Sequence, residues 1–119
     1  MTYDIMIVDD EKKMRKLLKK IISIKHNVIG EAKNGREAVK KYRKLNPDLI
    51  IMDVKMPKMN GFEALSKIKD ISGSQKVIMC TSVDKHRDVA GAMKRGADAY
   101  LVKPYKKDQL LSTIEEVMK

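Results

Sequence analysis

The stretch Asp48-Leu49-Ile50-Ile51-Met52-Asp53 decides the fold of this chain of 119 residues. The four apolar residues at its centre are consecutive rather than alternating, which is typical of a strand covered on both faces. Asp53 ends the run, although an unpaired carboxylate is costly beside a buried strand. The stretch therefore predicts a central strand of a parallel sheet with a polar site at its carboxyl end.

Three further apolar runs also end in polar residues. The carboxyl ends of parallel strands meet at one edge of an open sheet, where ligands bind. We therefore expect these polar residues to converge, although they are far apart in sequence. The runs are residues 3–8 before Asp9-Asp10, residues 77–80 before Thr81-Ser82 and residues 100–102 before Lys103-Pro104.

Segments with the periodicity of amphipathic helices alternate with these runs. Turn signals separate them at Asn34-Gly35, Asn46-Pro47 and Asn60-Gly61. With a short second strand at Val28-Ile29-Gly30, the chain contains five strand-then-helix units. They predict an α/β fold with a doubly wound, five-stranded parallel sheet, and the five helices are divided between its two faces. The apolar helix positions are Met14, Leu17, Leu18, Ile21 and Ile22; Ala38, Val39, Tyr42 and Leu45; Phe62, Leu65 and Ile68; Val89, Ala92 and Met93; and Leu110, Leu111, Ile114, Val117 and Met118.

The length and the 43% share of hydrophobic residues fit one domain, residues 1–119, and we expect no output domain. No apolar run approaches the roughly 20 residues of a membrane helix. The N-terminus lacks the pattern of a secretory signal, so a cytoplasmic location is expected. The single Cys80 cannot form an internal disulfide, and we expect it to be a buried structural thiol.

The formal net charge is +10, from 26 basic and 16 acidic residues. Without the three aspartates and the one lysine of the predicted site, 25 basic and 13 acidic residues carry +12. An acidic site therefore lies in a basic body, which favours encounter with acidic partner surfaces. Nucleic-acid binding is not favoured, because the lysines fall on solvated helix faces and no cluster of aromatic residues interleaves with them.

Asp9, Asp10 and Asp53 would repel one another strongly if they met in a dry site. A bound cation removes that conflict, and Mg²⁺ prefers oxygen ligands and keeps several waters. The set contains no histidine or cysteine, which argues against zinc or copper, and His26 and His86 are expected to be exposed imidazoles. One carboxylate is left as a nucleophile. The Asp9-Asp10 pair alone would also fit a helix cap, so the interpretation depends on the other positions.

Together these motifs resemble the receiver domain of two-component response regulators, and within that family the stand-alone chemotaxis type, CheY. The resemblance covers essentially the whole chain, in order, and implies the flavodoxin-like strand order 2-1-3-4-5. The matching segments are Val8-Asp9-Asp10, residues 34–38 (NGREA), residues 47–53 (PDLIIMD), Met56-Pro57, Asn60-Gly61, Cys80-Thr81-Ser82, Gly96-Ala97 and residues 100–104 (YLVKP).

The resemblance implies a role for each matching position of the site. The cofactor would be Mg²⁺, for which Mn²⁺ would substitute, and the bond between Lys103 and Pro104 would be cis. Phosphorylation would change the surface formed by helix four, strand five and helix five. The implied roles are Asp53 as phosphoacceptor; Asp10 as a direct metal ligand and Asp9 as a ligand mainly through water; Asp53 and the backbone carbonyl of Lys55 as further ligands; Lys103 and Thr81 as partners of the phosphoryl oxygens; and Thr81 and Tyr100 as switch residues.

The implied activity is that of a signalling switch that catalyses only its own phosphorylation and dephosphorylation. The implied partners are a sensor histidine kinase of the chemotaxis type, a motor or motor-adaptor protein and a phosphatase, with no nucleic acid or membrane. A monomer is expected. Met14-Arg15 resembles the chemotaxis type, whereas Lys55 resembles some phosphorelay intermediates, which pass the group to a histidine phosphotransfer protein. That alternative stays open.

Lys55 and Val83 resemble the positions that tune hydrolysis of the phosphorylated form in this family. Val83 cannot hydrogen-bond an attacking water, and the Lys55 ammonium would cover the phosphoryl group. The sequence therefore predicts slower spontaneous dephosphorylation than in a Lys55→Asn/Val83→Glu variant.

Two other classes fit the residues less well. A haloacid-dehalogenase-like phosphohydrolase also uses a strand-end aspartate and Mg²⁺, but it needs a second acid two residues later, where this chain has Lys55. A flavin-binding module of similar topology needs a phosphate loop rich in Gly, Ser or Thr after strand one. This chain has Asp9-Asp10-Glu11-Lys12 there, which would repel a phosphate unless a cation were present.

Overall fold

The computed structural model describes residues 1–81 and 86–119, with side chains from residue 89 onward in the second range. Strands and helices alternate along the chain, as predicted from its hydrophobic pattern. The elements are β1 (Asp4–Val8), α1 (Lys12–Ile22), β2 (Asn27–Ala32), α2 (Gly35–Leu45), β3 (Leu49–Asp53), α3 (Gly61–Ile71), β4 (Lys76–Thr81), α4 (His86–Lys94), β5 (Ala99–Val102) and α5 (Lys107–Val117).

The strands form a parallel sheet in the order β2-β1-β3-β4-β5, which confirms the flavodoxin-like order. The central strand β3 pairs with β1 and β4, and all five of its residues are buried. The register places Val8 opposite Met52. Asp9 and Asp53, the residues that follow them, therefore emerge together at the carboxyl edge of the sheet.

Helices cover both faces of the sheet. Along β3, Leu49 and Ile51 pack in one apolar cluster with residues of α1 and α5, whereas Ile50 and Met52 pack in a second cluster with residues of α2, α3 and α4. Because successive side chains of a strand point to opposite faces, a strand between two helical layers needs apolar residues at every position. This explains the unbroken apolar run.

Asparagine residues mark three helix ends. The Asn34 side chain accepts a hydrogen bond from the N–H of Glu37 at 2.8 Å, and Asn60 caps α3 in the same way at 2.9 Å. Asn46 ends α2 with φ at 47°, in the left-handed region that asparagine tolerates. The turn signals in the sequence are therefore helix caps in the structure.

The prediction that His26 is exposed is wrong, because its ring is buried with 4% of the residue accessible. The chain turns after α1, where the N–H of His26 donates to the Ile22 carbonyl at 2.8 Å. The ring stacks on Tyr3 with centroids 5.4 Å apart, and its Nδ1 accepts the Tyr3 N–H at 3.2 Å. Burial lowers the pKa of His26, although the nearby Glu115 carboxylate opposes that shift. The side chain of His86 lies outside the described residues.

Two helix positions that the periodicity assigned to apolar faces are largely open to solvent. Leu17 of α1 is 39% exposed and Met93 of α4 is 50% exposed. Leu17 precedes Leu18, and Met93 follows Ala92; these two neighbours are buried on the inner face of their helices. The buried apolar face of α1 and of α4 is therefore narrower than the spacing of their apolar residues predicted. The second strand is longer than predicted and runs from Asn27 to Ala32.

Cys80 is fully buried in β4, which confirms the expected structural thiol. Burial raises the pKa of its thiol to about 12, because the thiolate loses its solvation there. A thiol with so high a pKa is a poor nucleophile. Among the described residues, no helix has both the length and the apolar character needed to cross a bilayer.

Candidate functional site

Three carboxylates meet at the carboxyl edge of the sheet, as the sequence predicted. One oxygen each of Asp9, Asp10 and Asp53 lies within 4.8 Å of the other two. Asp9 is fully buried and Asp53 is 7% exposed, whereas Asp10 is exposed. β1 and β3 supply them because the two strands are neighbours that end in register. The cluster thus has a covered floor and one side open to solvent.

Lys103 follows β5 and reaches across the sheet edge to two of these carboxylates. Its Nζ lies 2.8 Å from Asp9 Oδ2 and 3.6 Å from Asp53 Oδ2, with 8% of the side chain exposed. Burial alone lowers the pKa of Lys103, but the hydrogen bond to Asp9 and the charges of Asp53 and Asp9 outweigh it and raise the pKa. Lys103 therefore stays positively charged in the site.

Asp53 is held in a fixed orientation by its own strand. Its Oδ1 accepts the backbone N–H of Val54 at 2.9 Å, and its Oδ2 faces Lys103. Burial raises the pKa of Asp53 to about 6; Lys103 opposes this shift, while the Asp9 and Asp10 charges add to it. The carboxyl is therefore mostly ionised at neutral pH, and its pKa would fall if a further positive charge came close.

The residues of this cluster fit a hard divalent cation. The three carboxylates are oxygen donors, the type that Mg²⁺ prefers, and they carry more negative charge than one lysine neutralises. Within the described part of the chain, this is the one cluster of three or more potential metal-ligating side chains. Lys55, two residues after Asp53, is exposed.

Of the remaining predicted site residues, Thr81 and Tyr100 are described. Thr81 ends β4 and is 1% exposed, and its carbonyl accepts the Lys103 N–H at 2.7 Å. That bond fixes the start of the loop that carries Lys103 next to β4. Tyr100 lies in β5, half-buried against the apolar cluster beneath α2, α3 and α4. The Lys103–Pro104 bond is cis, as the resemblance implied. Val83 lies outside the described residues.

Two supporting residues went unrecognised in the sequence. Arg15 of α1 donates from Nη1 to the Asp9 carbonyl at 2.7 Å and from Nε to Glu31 at 3.2 Å. It thereby anchors the backbone that presents the aspartate pair. The Glu11 N–H donates to Asp9 Oδ1 at 2.9 Å. In the sequence Arg15 appeared only in the pair Met14-Arg15 that resembles the chemotaxis type, and no local pattern indicated its contact with Asp9.

Gly61 is the second such residue, and it packs directly against the backbone of Asp53. A Cβ at Gly61 would lie 2.8 Å from Met79 Cε and 3.0 Å from the carbonyl carbon of Asp53, and closer still to that carbonyl oxygen. The Gly61 N–H also donates to the Val54 carbonyl at 2.7 Å. The pair Asn60-Gly61 looked like a turn signal in the sequence, and its second residue in fact allows α3 to approach the site.

The fold and this geometry define a class of protein: a doubly wound α/β domain with a buried strand-end aspartate, an acidic cation pocket and one fixed lysine. The response regulator receiver domain family matches residues 5–115. This chain belongs to that family.

Three relatives illustrate the similarity. The chain is 39% identical to the chemotaxis protein CheY of Halobacterium salinarum over 118 residues, 99% of this chain and 98% of that protein. It is 41% identical to CheY of Thermotoga maritima, covering 97% of each. A chain of the CheX–CheY–BeF3–Mg²⁺ complex from Borrelia burgdorferi superposes with a TM-score of 0.94 at 32% identity, covering 98% of this chain and 90% of that one.

Proposed function

We propose that this protein is a phospho-accepting response regulator that takes a phosphoryl group onto Asp53 from a sensor histidine kinase. The observation that carries this proposal is the arrangement at the sheet edge. A buried carboxylate that is mostly ionised at neutral pH faces an ammonium 3.6 Å away, beside two further carboxylates. It combines a nucleophile, a fixed positive charge and ligands for a cation.

In the proposed reaction, a carboxylate oxygen of Asp53 attacks the phosphorus of a phosphohistidine on the kinase. The new O–P bond forms as the P–N bond breaks, and the imidazole leaves with that electron pair. The product on Asp53 is an acyl phosphate. Phosphoryl transfer depends mostly on positioning and on neutralising the equatorial oxygens. The Val54 N–H fixes the carboxylate, and Lys103 supplies a positive charge on one side.

The residues present fit Mg²⁺ as the cofactor, with Mn²⁺ as a substitute. Asp10 and Asp53 would hold the ion directly, Asp9 mainly through water, and the carbonyl of Lys55 would complete the protein ligands. When bound, the ion supplies positive charge that neutralises the phosphoryl oxygens. Asp9 keeps a second role, because it accepts the hydrogen bond that orients Lys103.

The acyl phosphate would act as a signal through the α4–β5–α5 surface. We propose that the Thr81 hydroxyl bonds a phosphoryl oxygen and that the Tyr100 ring then moves further inward. Thr81 ends β4, the strand that pairs with β5, and Tyr100 is half-buried within β5 itself. Such a change requires a two-state element that the new charge biases. A Tyr100→Ala variant should be phosphorylated normally but bind its target poorly.

We propose chemotaxis or motility as the pathway, with a chemotaxis kinase upstream and a motor or motor-adaptor protein downstream. The full-length similarity to chemotaxis proteins of two organisms supports it. The alternative is a phosphorelay intermediate, which the exposed Lys55 next to the phosphoacceptor favours. Reversible transfer to a histidine phosphotransfer protein, without phosphorylation-dependent binding to a motor component, would establish the alternative.

We also propose that Lys55 and Val83 make spontaneous dephosphorylation slower than it would be with Asn at position 55 and Glu at position 83. Lys55 is exposed and lies two residues after Asp53, and we propose that its ammonium covers the phosphoryl group. The Lys55→Asn/Val83→Glu variant should dephosphorylate faster, as measured by intact mass over time after the phosphodonor is removed. An unchanged half-life in that variant would contradict this part of the proposal.

Intact mass after incubation with a small-molecule phosphodonor tests the central proposal. The wild type should gain one phosphoryl group with Mg²⁺ and none after chelation. Asp53→Asn should gain none, whereas Asp70→Asn, at an exposed position of α3, should behave like the wild type. If neither the phosphodonor nor a cognate kinase produced an adduct, the proposed function would be wrong.

A further inference from the structure

A groove of about 560 Å³ runs between α2 and α3, and neither the acidic site nor the α4–β5–α5 surface includes it. Four basic side chains line it: Arg36, Lys40 and Arg43 from α2, and Lys67 from α3. Intervals of four and three residues place the α2 cations on one face of that helix. All four residues are exposed, so the groove presents a row of positive charge to solvent.

These cations are not neutralised within the part of the chain that the structure describes, where none of them forms an ion pair. Lys41, also on α2 but not part of the groove, pairs with Glu37 at 3.7 Å, and Lys33 contacts the same carboxylate at 3.9 Å. Of the described residues that line the groove, Asp70 alone is acidic. The groove therefore carries an excess of three positive charges.

The floor of the groove is apolar. Val39 and Met59 are half-buried, and Ile71 is 47% exposed. Val39 lies between the α2 cations, and Ile71 follows Lys67 by one helical turn, so the apolar strip is flanked by positive charge. Exposed apolar surface with a polar rim is typical of protein-interaction sites.

We propose that this groove, lined by α2 and α3, binds an acidic amphipathic helix of a partner protein. The apolar side of such a helix would cover Val39, Met59 and Ile71, and its carboxylates would pair with the cations at the rim. Arg36 and Arg43 are seven residues apart, a length of about 10 Å, which matches about two turns of a bound helix. A nucleic acid would use the cations but not the floor, and none of the described residues that line the groove is aromatic and could stack on a base.

The test titrates the full chain, ¹⁵N-labelled, with a synthetic acidic amphipathic peptide of 18 residues that has glutamates on one face and leucines on the other. Amide shifts should concentrate in α2 and α3. Arg36→Glu/Lys40→Glu should weaken binding about tenfold, because two rim ion pairs become repulsive. Lys16→Glu/Lys20→Glu is the matched control, since it makes the same charge change at the same spacing on exposed positions of α1. It should weaken binding only slightly.

Further measurements distinguish the proposed acidic helix from the two other possible occupants, a polyanion such as a nucleic acid and a second copy of this chain. Ile71→Ser should weaken peptide binding several-fold, and an oligo-dT strand should bind less well than the peptide. Equal weakening by the two double reversals, or an unaffected Ile71→Ser variant, would overturn the proposal in favour of general attraction to polyanions. Self-association that only the Arg36→Glu/Lys40→Glu variant abolishes would overturn it in favour of a second copy of this chain.

Discussion

Gly61→Ala should destabilise this protein and displace Asp53, the proposed phosphoacceptor. The added Cβ would lie within 3.0 Å of the Asp53 backbone and 2.8 Å from Met79 Cε. Backbone atoms of a central strand cannot move aside as a flexible side chain can, so we expect a cost of about 3 kcal/mol, at the upper end of overpacking. Alanine has the better helix propensity, but Gly61 is the first residue of α3, so this returns less than the roughly 1 kcal/mol expected in a helix interior. The net loss of about 2–3 kcal/mol corresponds to a fall in Tm of about 8–12 °C for a domain of this length.

Urea unfolding followed by circular dichroism measures this loss, with Gly73→Ala as the control. A Cβ at Gly73 meets nothing closer than the Lys69 carbonyl at 3.9 Å, so its unfolding free energy should change by less than about 0.5 kcal/mol. Gly61→Ala should also take up phosphate more slowly, because the Asp53 carbonyl is pushed away from α3. Equal stability of the two variants would show that close packing of α3 against Asp53 is not the reason for glycine at position 61.

Three other predictions test separate parts of the structure. Asn60→Ala should lower the unfolding free energy by about 1 kcal/mol through loss of the α3 cap, and Asn60→Ser should recover most of it; no recovery would argue against the cap. Burial lowers the pKa of His26, so the folded state prefers the neutral ring, and stability should fall as the pH drops below 6.5. His26→Asn keeps an acceptor for the Tyr3 N–H but cannot be protonated, so its unfolding free energy should fall less than that of the wild type between pH 7.5 and pH 5; equal losses would contradict this role. Lys103→Met should slow phosphorylation by a phosphodonor about 10²-fold, whereas Lys106→Met, at an exposed position, should not; comparable rates for the two would remove Lys103 from the chemistry.

The fold could be predicted because the hydrophobic pattern of each segment agrees with the place of that segment in the sheet or in the helical layers. The unbroken apolar run of β3 requires helices on both faces, and the alternating helical segments supply them. Once the sheet is parallel, its carboxyl edge collects Asp9, Asp53 and Lys103 whatever their separation in sequence. The convergence of these three residues was therefore predictable from the strand ends alone, whereas the supporting contacts of Arg15 and Gly61 were not.

The burial of His26 could not be predicted in the same way. His26 follows the end of α1, outside any periodic segment, so no local pattern reports its environment. Its ring is covered because Tyr3 precedes β1 and Glu115 of α5 faces its Nε2 at 3.6 Å. Those neighbours come from the two ends of the chain. Their proximity depends on how the finished sheet brings the termini together.

Like the surroundings of His26, the acidic site forms only when the whole sheet is assembled. Asp9, Asp53 and Lys103 follow or end three different strands, and the hydrogen bond from Lys103 to Asp9 joins residues 94 positions apart. That bond forms only when β5 is in place beside β4, because the Thr81 carbonyl fixes the Lys103 backbone. A fragment without β5 would therefore hold three repelling carboxylates with no counter-charge. Correct assembly of the sheet and competence for phosphorylation should consequently be lost together.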